Sequence, residues 1–325
     1  MFFVAIAFIG AVLALWIAFK FLVPRGRVGN YNNKYVLITG CDTGFGRDTA
    51  IRLNQMGFNV FGACLTDKGM KSLKEACSGR LVAFLMDVTK HEQIEAAYAK
   101  RSCYHLGLWA LDNNAGYMGL GPLEWFTMDD YKMQADINLW GLIDVTKTFL
   151  PLIKVAKGRV VNFSSIAGDI LHLGGGGTLG ALFLLYGVES FSDALRREMA
   201  PYGIRVSIIQ PMPFKTPLWA GMAERKLMSL WDNLSEEMKQ EYGIEYRDKV
   251  CQSFEKNFNN ASAETYLVID DVIDAITSCD PQTRYRVGTF TKVFTFLASL
   301  PTAVLDTVYQ IRSPVAVPQG AKNSK

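Results

Sequence analysis

The residues best suited to chemistry are Thr39-Gly40-Cys41-Asp42-Thr43-Gly44-Phe45-Gly46. Their glycines let a backbone turn sharply and approach a phosphate with no Cβ in the way. An apolar run, Tyr35 to Ile38, precedes them, and a helix-like segment, Arg47 to Met56, follows. Strand, glycine turn and helix place a dinucleotide's pyrophosphate on a helix N-terminus, where unpaired N–H groups and the helix dipole favour an anion. A second strand-like run, Asn59 to Leu65, lies about 20 residues on, the context in which such a turn is informative.

Other reactive side chains are sparse. Ser164 and Ser165 follow an apolar run at 159–163. Such a pair after a strand serves either as a site or as a cap or turn. Three histidines (His91, His105, His172) and six scattered cysteines (Cys41, Cys64, Cys77, Cys103, Cys251, Cys279) show no metal or redox spacing, so no metal site is expected. The cysteines read as reduced core residues. A net charge of +3 with no dense basic run argues against a nucleic-acid partner.

These residues must be held by a large framework. The 325 residues are half hydrophobic, enough for one sizeable core. Apolar runs at 35–39, 59–65, 81–86, 108–112, 159–163 and 205–210 have strand length. Helical periodicity marks Lys71–Cys77, His91–Lys100, Tyr131–Val155 and Glu189–Met199, while Asn257–Ala263 reads as a loop. Alternating strands and helices predict a single α/β domain, a Rossmann-type doubly wound parallel sheet, over residues 34–289. The more polar late region, 220–264, would lie over the C-terminal strand ends, and residues 212–264 would border a substrate. The apolar residues of 212–264 (Phe214, Leu218, Trp219, Met222, Leu227, Met228, Leu230, Trp231) suit either a hydrophobic pocket or helix packing.

Met1 to Phe19 carries no charged side chain. Extended to Val23 across Lys20, which can snorkel, it reaches spanning length and predicts an N-terminal transmembrane helix over 1–23. A basic n-region and a cleavage site are lacking, which argues against a signal peptide. Residues 24–33 form a polar linker. Lys20, Arg25, Arg27 and Lys34 place the body on the cytosolic side by the positive-inside rule. Sequons begin at Asn162, Asn233 and Asn260. Residues 290–325 form an apolar segment with a polar tail, suited either to a membrane interface or to packing on the body.

Several motifs together resemble the short-chain dehydrogenase/reductase family, and more narrowly its membrane-anchored retinol and 17β-hydroxysteroid dehydrogenases. They are the glycine turn, Met86-Asp87-Val88-Thr89, Asn113-Asn114-Ala115-Gly116, Ile137-Asn138-Leu139, Asn162-Phe163-Ser164-Ser165 and Tyr186 through Asp193. The resemblance implies an NAD-dependent oxidoreductase at the endoplasmic reticulum membrane, acting on a hydrophobic alcohol or ketone, with a homo-oligomer left open. It assigns cofactor contacts to Thr39, Gly40, Thr43, Gly44, Phe45, Gly46, Asp87, Asn113, Ala115, Gly116 and Thr216. Asp87 would lie beside the adenine edge and Thr216 would meet the nicotinamide carboxamide. Asn138 would hold a water in a proton relay, and Ser165 would bind the substrate oxygen. Ala63 to Lys68 includes no arginine for a 2′-phosphate, and Asp42 would repel one, so NAD is favoured over NADP. Asp67 is either a ribose contact or a solvated turn residue.

The family's acid is a tyrosine with a lysine four residues later, whose charge lowers the phenol's pKa. That pair is missing here. Counting from Ser165 puts Gly177 at the tyrosine position; counting back from Tyr186-Gly187-Val188-Glu189 puts Ala181 there and Leu185 at the lysine. No lysine occurs between Lys157 and Lys215, and Pro211-Met212-Pro213 stands where the family has Pro-Gly. Tyr186, with Ser190 four residues on, and His172 are the remaining substitutes. Loss of a positioned acid costs on the order of 10²–10⁴ in rate. Three readings stay open: an impaired dehydrogenase, a pseudoenzyme that binds nucleotide or lipid, and a dehydrogenase whose segment 169–185 is altered by splicing or sequence error.

Overall fold

The computed structural model describes residues 26–325 except 78, 101–105, 120, 167–178, 218–221, 290, 299, 302, 305, 306, 308–316, 324 and 325, together with positions 8, 10 and 12. Side chains at 179–184, 222–226, 292, 294, 297, 298 and 323 also lie outside that description. Seven strands form one parallel sheet: β1 (Tyr35–Thr39), β2 (Asn59–Cys64), β3 (Leu81–Leu85), β4 (Ala110–Asn113), β5 (Arg159–Phe163), β6 (Arg205–Pro211) and β7 (Arg284–Val287). Their order is β3-β2-β1-β4-β5-β6-β7, so the winding reverses between β1 and β4.

Parallel strands covered on both faces must be apolar throughout. Val36, Leu37 and Ile38 are all fully buried, with alternate residues entering opposite cores. One core packs Val36, Ile38 and Val161 against α1 (Gly44–Gln55) and α10 (Tyr266–Thr277). The other packs Leu37, Leu111 and Val160 against α3 (His91–Ala99), α5 (Leu142–Ala156) and α6 (Leu179–Met199). The remaining crossover helix, α2, spans Asp67–Glu75.

Six strands fall where the apolar runs predict them. β7 has no counterpart among those runs because it is four residues long and alternates Arg284 and Arg286 with buried Tyr285 and Val287. The expected 131–155 helix is α4 (Met128–Ala135), a π-helical widening at Asp136–Gly141, and α5. The loop expected from Asn257 begins later, because α9 (Ile244–Asn259) continues through it. With α7 (Met222–Asp232) and α8 (Glu236–Tyr242), α9 builds a separate aromatic core. Trp231 and Leu227 are buried there against Trp125, Tyr242 and Tyr246, so helix packing, not pocket lining, accounts for them. Leu218 and Trp219 lie outside the described residues, as does the side chain of Met222.

The expected anchor, 1–23, lies outside the described residues apart from Phe8, Gly10 and Val12. Among the described residues no helix is long and apolar enough to cross a membrane. Part of the 290–325 segment is described: α11 (Thr291–Ala298) leaves Val293 and Phe296 exposed.

Candidate functional site

The glycine turn lies at the carboxyl end of β1, beside the point where the winding reverses, the place where open α/β sheets bind ligands. Gly40 adopts φ +71°, and a Cβ there would lie 2.8 Å from Ala115 Cα. A Cβ on Gly46 would stand 2.2 Å from Asn114 Nδ2. The clasp behind these approaches is polar. Asn114 Nδ2 donates to the carbonyls of Thr39 (2.9 Å) and Gly40 (3.1 Å). The backbone N–H groups of Asn114 and Ala115 donate to Thr39 Oγ1 at 3.1 and 3.0 Å. The ends of β1 and β4 are thereby locked together. Asn114 carries this clasp; in the sequence it stands only within Asn113-Asn114-Ala115-Gly116, and nothing in its spacing marks the amide that locks the strand ends.

Thr43 starts α1 without a side-chain cap, so the helix's first N–H groups have no side-chain acceptor from it. Gly44 adopts φ +66° and would bring a Cβ only to 4.0 Å from Thr216. Phe45 is stacked on Phe163 and edge-on to Phe214, which fixes the turn over the ends of β5 and β6. A cavity of about 510 Å³ opens here, lined by Asp42, Thr43, Gly44, Arg47, Thr66, Lys68, Lys215 and Thr216. A helix start that Thr43 leaves uncapped, a glycine cradle and this volume fit a pyrophosphate.

Asp42 does more than carry charge. Its carboxylate accepts from Leu65 N (2.7 Å), Thr66 N (2.9 Å) and Thr66 Oγ1 (2.6 Å). Thr66 in turn caps α2 by accepting from Gly69 N. The N-terminus of α2 is therefore already supplied with an anion. Asp67 is exposed in its first turn.

Asp87 accepts from Thr89 N and Thr89 Oγ1 and borders a second depression with Leu65 and Gln93. Asn113 is buried and faces the sheet interior, donating to Thr146 Oγ1 and Asn162 Oδ1, both at 2.8 Å. Gly116 is exposed beside it. Asn138 sits in the π-helical widening with its amide turned to the Tyr117 backbone, accepting from N (2.8 Å) and donating to O (2.7 Å). Ser165 lies at the end of β5, its hydroxyl donating to the Pro211 carbonyl at 3.3 Å. Tyr186 is 41% exposed on α6 and does not line the cavity. His172 and Gly177 lie outside the described residues.

Asp112, inside the run read as apolar, is fully buried between β1 and β5, and neither carboxylate oxygen has a hydrogen-bond partner. Burial pushes it up to about 8. Burial likewise drives Cys41 well up, with neighbouring Cys64, Asp112 and Asp42 adding to it, and lifts Cys64 to about 12. These thiols are inert.

Known proteins extend this geometry. A family model described as short chain dehydrogenase matches residues 34–227. The chain is 42% identical to "Retinol dehydrogenase 7" of Rattus norvegicus, over 92% of this chain and 94% of that one. It is 40% identical to "Dehydrogenase/reductase SDR family member 9" of Homo sapiens, over 91% and 94%. Among solved structures, a short-chain dehydrogenase from Streptomyces avermitilis superposes with a TM-score of 0.67 at 24% identity, covering 85% of this chain and 93% of that one. A short chain dehydrogenase/reductase from Burkholderia phymatum in complex with NAD gives 0.67 at 18% identity, covering 83% and 94%.

Proposed function

Because this chain belongs to the short-chain dehydrogenase/reductase family, in its retinol dehydrogenase subgroup, we propose NAD(P)-dependent oxidoreduction of a hydrophobic alcohol, with NAD preferred. The carrying observation is the clasped glycine turn over an uncapped helix N-terminus. Thr39, Gly40, Thr43, Gly44, Phe45, Gly46, Ala115, Gly116 and Thr216 would hold the dinucleotide, with Asp87 at the adenine end and Asn113 bracing the sheet behind it. The nicotinamide ring would supply or accept the hydride. NAD preference rests on Asp42, whose carboxylate occupies the α2 N-terminus that a 2′-phosphate would need. The relatives' names motivate a retinoid or hydroxysteroid substrate.

Proton handling is where this chain departs from its family. Ser165 orients the substrate oxygen, and Asn138, its amide spent on Tyr117, offers a relay water the backbone carbonyls of a widened helix. No tyrosine–lysine pair follows, so proximity alone sustains a slow reaction. A second reading, nucleotide binding without turnover, draws on the same absence and on the exposed Tyr186. Purified protein should enhance NADH fluorescence and oxidise all-trans-retinol or a hydroxysteroid slowly. Tight NADH binding with no turnover refutes the enzyme and leaves the second reading; resequencing across codons 165–190 that recovers the pair refutes both the impairment and the pseudoenzyme.

We also propose that residues 1–23 anchor the protein in the endoplasmic reticulum membrane with its body in the cytosol, on the charge-free stretch and the cations that follow it. Asn233 and Asn260 are exposed and serve as reporters, whereas Asn162 is buried. Glycosylation of either exposed sequon in microsomes would refute the cytosolic placement.

A further inference from the structure

The face opposite the glycine turn, at the N-terminal ends of the strands, gathers cations that the site does not use. Arg159 and Arg205 open β5 and β6 and are register partners. The Trp109 ring carries Lys34 Nζ 4.4 Å and the Arg159 guanidinium 4.2 Å from its centroid. The crowding has a cost: burial and then Arg159 lower Lys34, and burial chiefly brings Arg159 down to about 10. Lys154 and Lys157 close α5 on the same face. Lys154 Nζ lies 4.1 Å from the Tyr202 ring centroid, and Lys157 borders Gly203. Between these cations protrude Val155, 66% exposed, and Tyr202, 50% exposed. Asp280 is an exposed carboxylate on a neighbouring loop.

The chain that follows the apolar N-terminal stretch arrives at this face. Val28 N donates to the Thr277 carbonyl (2.8 Å), Cys279 N donates to the Gly26 carbonyl (2.7 Å), and Arg27 bonds Thr277 Oγ1. Arg159 donates to the adjoining Ser278 carbonyl at 2.9 Å. A segment of 19 residues without a charge thus leads, through a docked linker, into a surface of cations interleaved with apolar tips. That combination is what an interface of anionic headgroups and acyl chains accommodates. A nucleic acid would match the charge but not the protruding valine and tyrosine.

We infer that the strand N-terminal face, through Lys154, Lys157 and Arg205 with Val155 and Tyr202, rests on an anionic lipid surface. The candidate site would then open away from the headgroups, on the far side of the sheet. This inference rests on the anchor reading of residues 1–23, and the test separates the two. Full-length protein is reconstituted in nanodiscs of phosphatidylcholine, alone or mixed with phosphatidylserine, and amide hydrogen exchange is followed by mass spectrometry. Exchange at 154–158 and 200–205 should slow several-fold with phosphatidylserine, with residues 42–47 unchanged. The variant Lys154→Glu/Lys157→Glu/Arg205→Glu should stay in the discs and lose the slowing. Protein that fails to co-migrate with phosphatidylcholine discs overturns the anchor reading. Retained protein with equal exchange in both disc types, or slowing that survives in the triple variant, overturns the lipid-facing surface alone.

Discussion

Replacing Asp112 by Asn should stabilise this protein by an amount that depends on pH. The wild-type carboxyl is fully buried with both oxygens unpartnered, and burial pushes it up to about 8 from a usual 3.8. Below about pH 4 the acid is protonated in both folded and unfolded chains, and it costs nothing relative to Asn. Between about pH 4 and 8 the unfolded chain has released the proton while the folded chain keeps it, so stability falls by about 1.4 kcal/mol per pH unit. Above about pH 8 both states are ionised and the loss levels off. At pH 7 the accumulated cost is roughly 4 kcal/mol, a large share of a typical folding free energy. Asn has nearly the same volume and no such slope, and its amide is as poorly partnered as the neutral acid. Urea unfolding in detergent at pH 5, 6, 7 and 8 should therefore give a stability gap that opens with pH. Parallel curves for wild type and Asp112→Asn would refute the buried, unpartnered acid.

Arg284→Leu should destabilise by about 3–5 kcal/mol, because Glu189 is 7% exposed and would lose the guanidinium 3.0 Å away. Chemical denaturation reads this, and Arg284→Leu/Glu189→Leu should recover most of it. Asp42→Asn should narrow the preference for NADH over NADPH by roughly fivefold, the worth of about 1 kcal/mol of charge repulsion. Fluorescence titration with both nucleotides tests this, and an unchanged ratio would remove Asp42 from the selectivity argument. Ala181→Tyr/Leu185→Lys rebuilds the missing acid at the register counted back from Tyr186, on residues of helix α6. It should raise turnover by about 10²–10⁴ in steady-state assays; no gain would place the lesion elsewhere.

The sheet was legible because strands buried on both faces leave continuous apolar runs, and six of them show in the sequence. β7 did not, since four residues at an edge that alternate a half-buried and an exposed arginine with apolar residues carry no such run. The glycine turn was legible for the same reason it works: only glycine tolerates the approach of Ala115 and Asn114. What Asp42 does was half visible. Its charge could be read, but its bonds to Leu65 and Thr66 come from a strand partner that only folding brings near. Asp112 was hidden within an apolar run, and Asn138 gave no sign that its amide would turn to Tyr117.

The central claim, that residues 39–46 cradle a dinucleotide, meets its most direct test in an NADH titration of wild type and Gly46→Ala. The added methyl would stand 2.2 Å from Asn114 Nδ2 and 2.6 Å from the Gly40 carbonyl. Saturable fluorescence enhancement in wild type, lost or weakened by at least about tenfold in a Gly46→Ala protein that still folds, is the result expected if about 1.4 kcal/mol or more of binding is lost. Equal binding by the two proteins, or none by either, would contradict it.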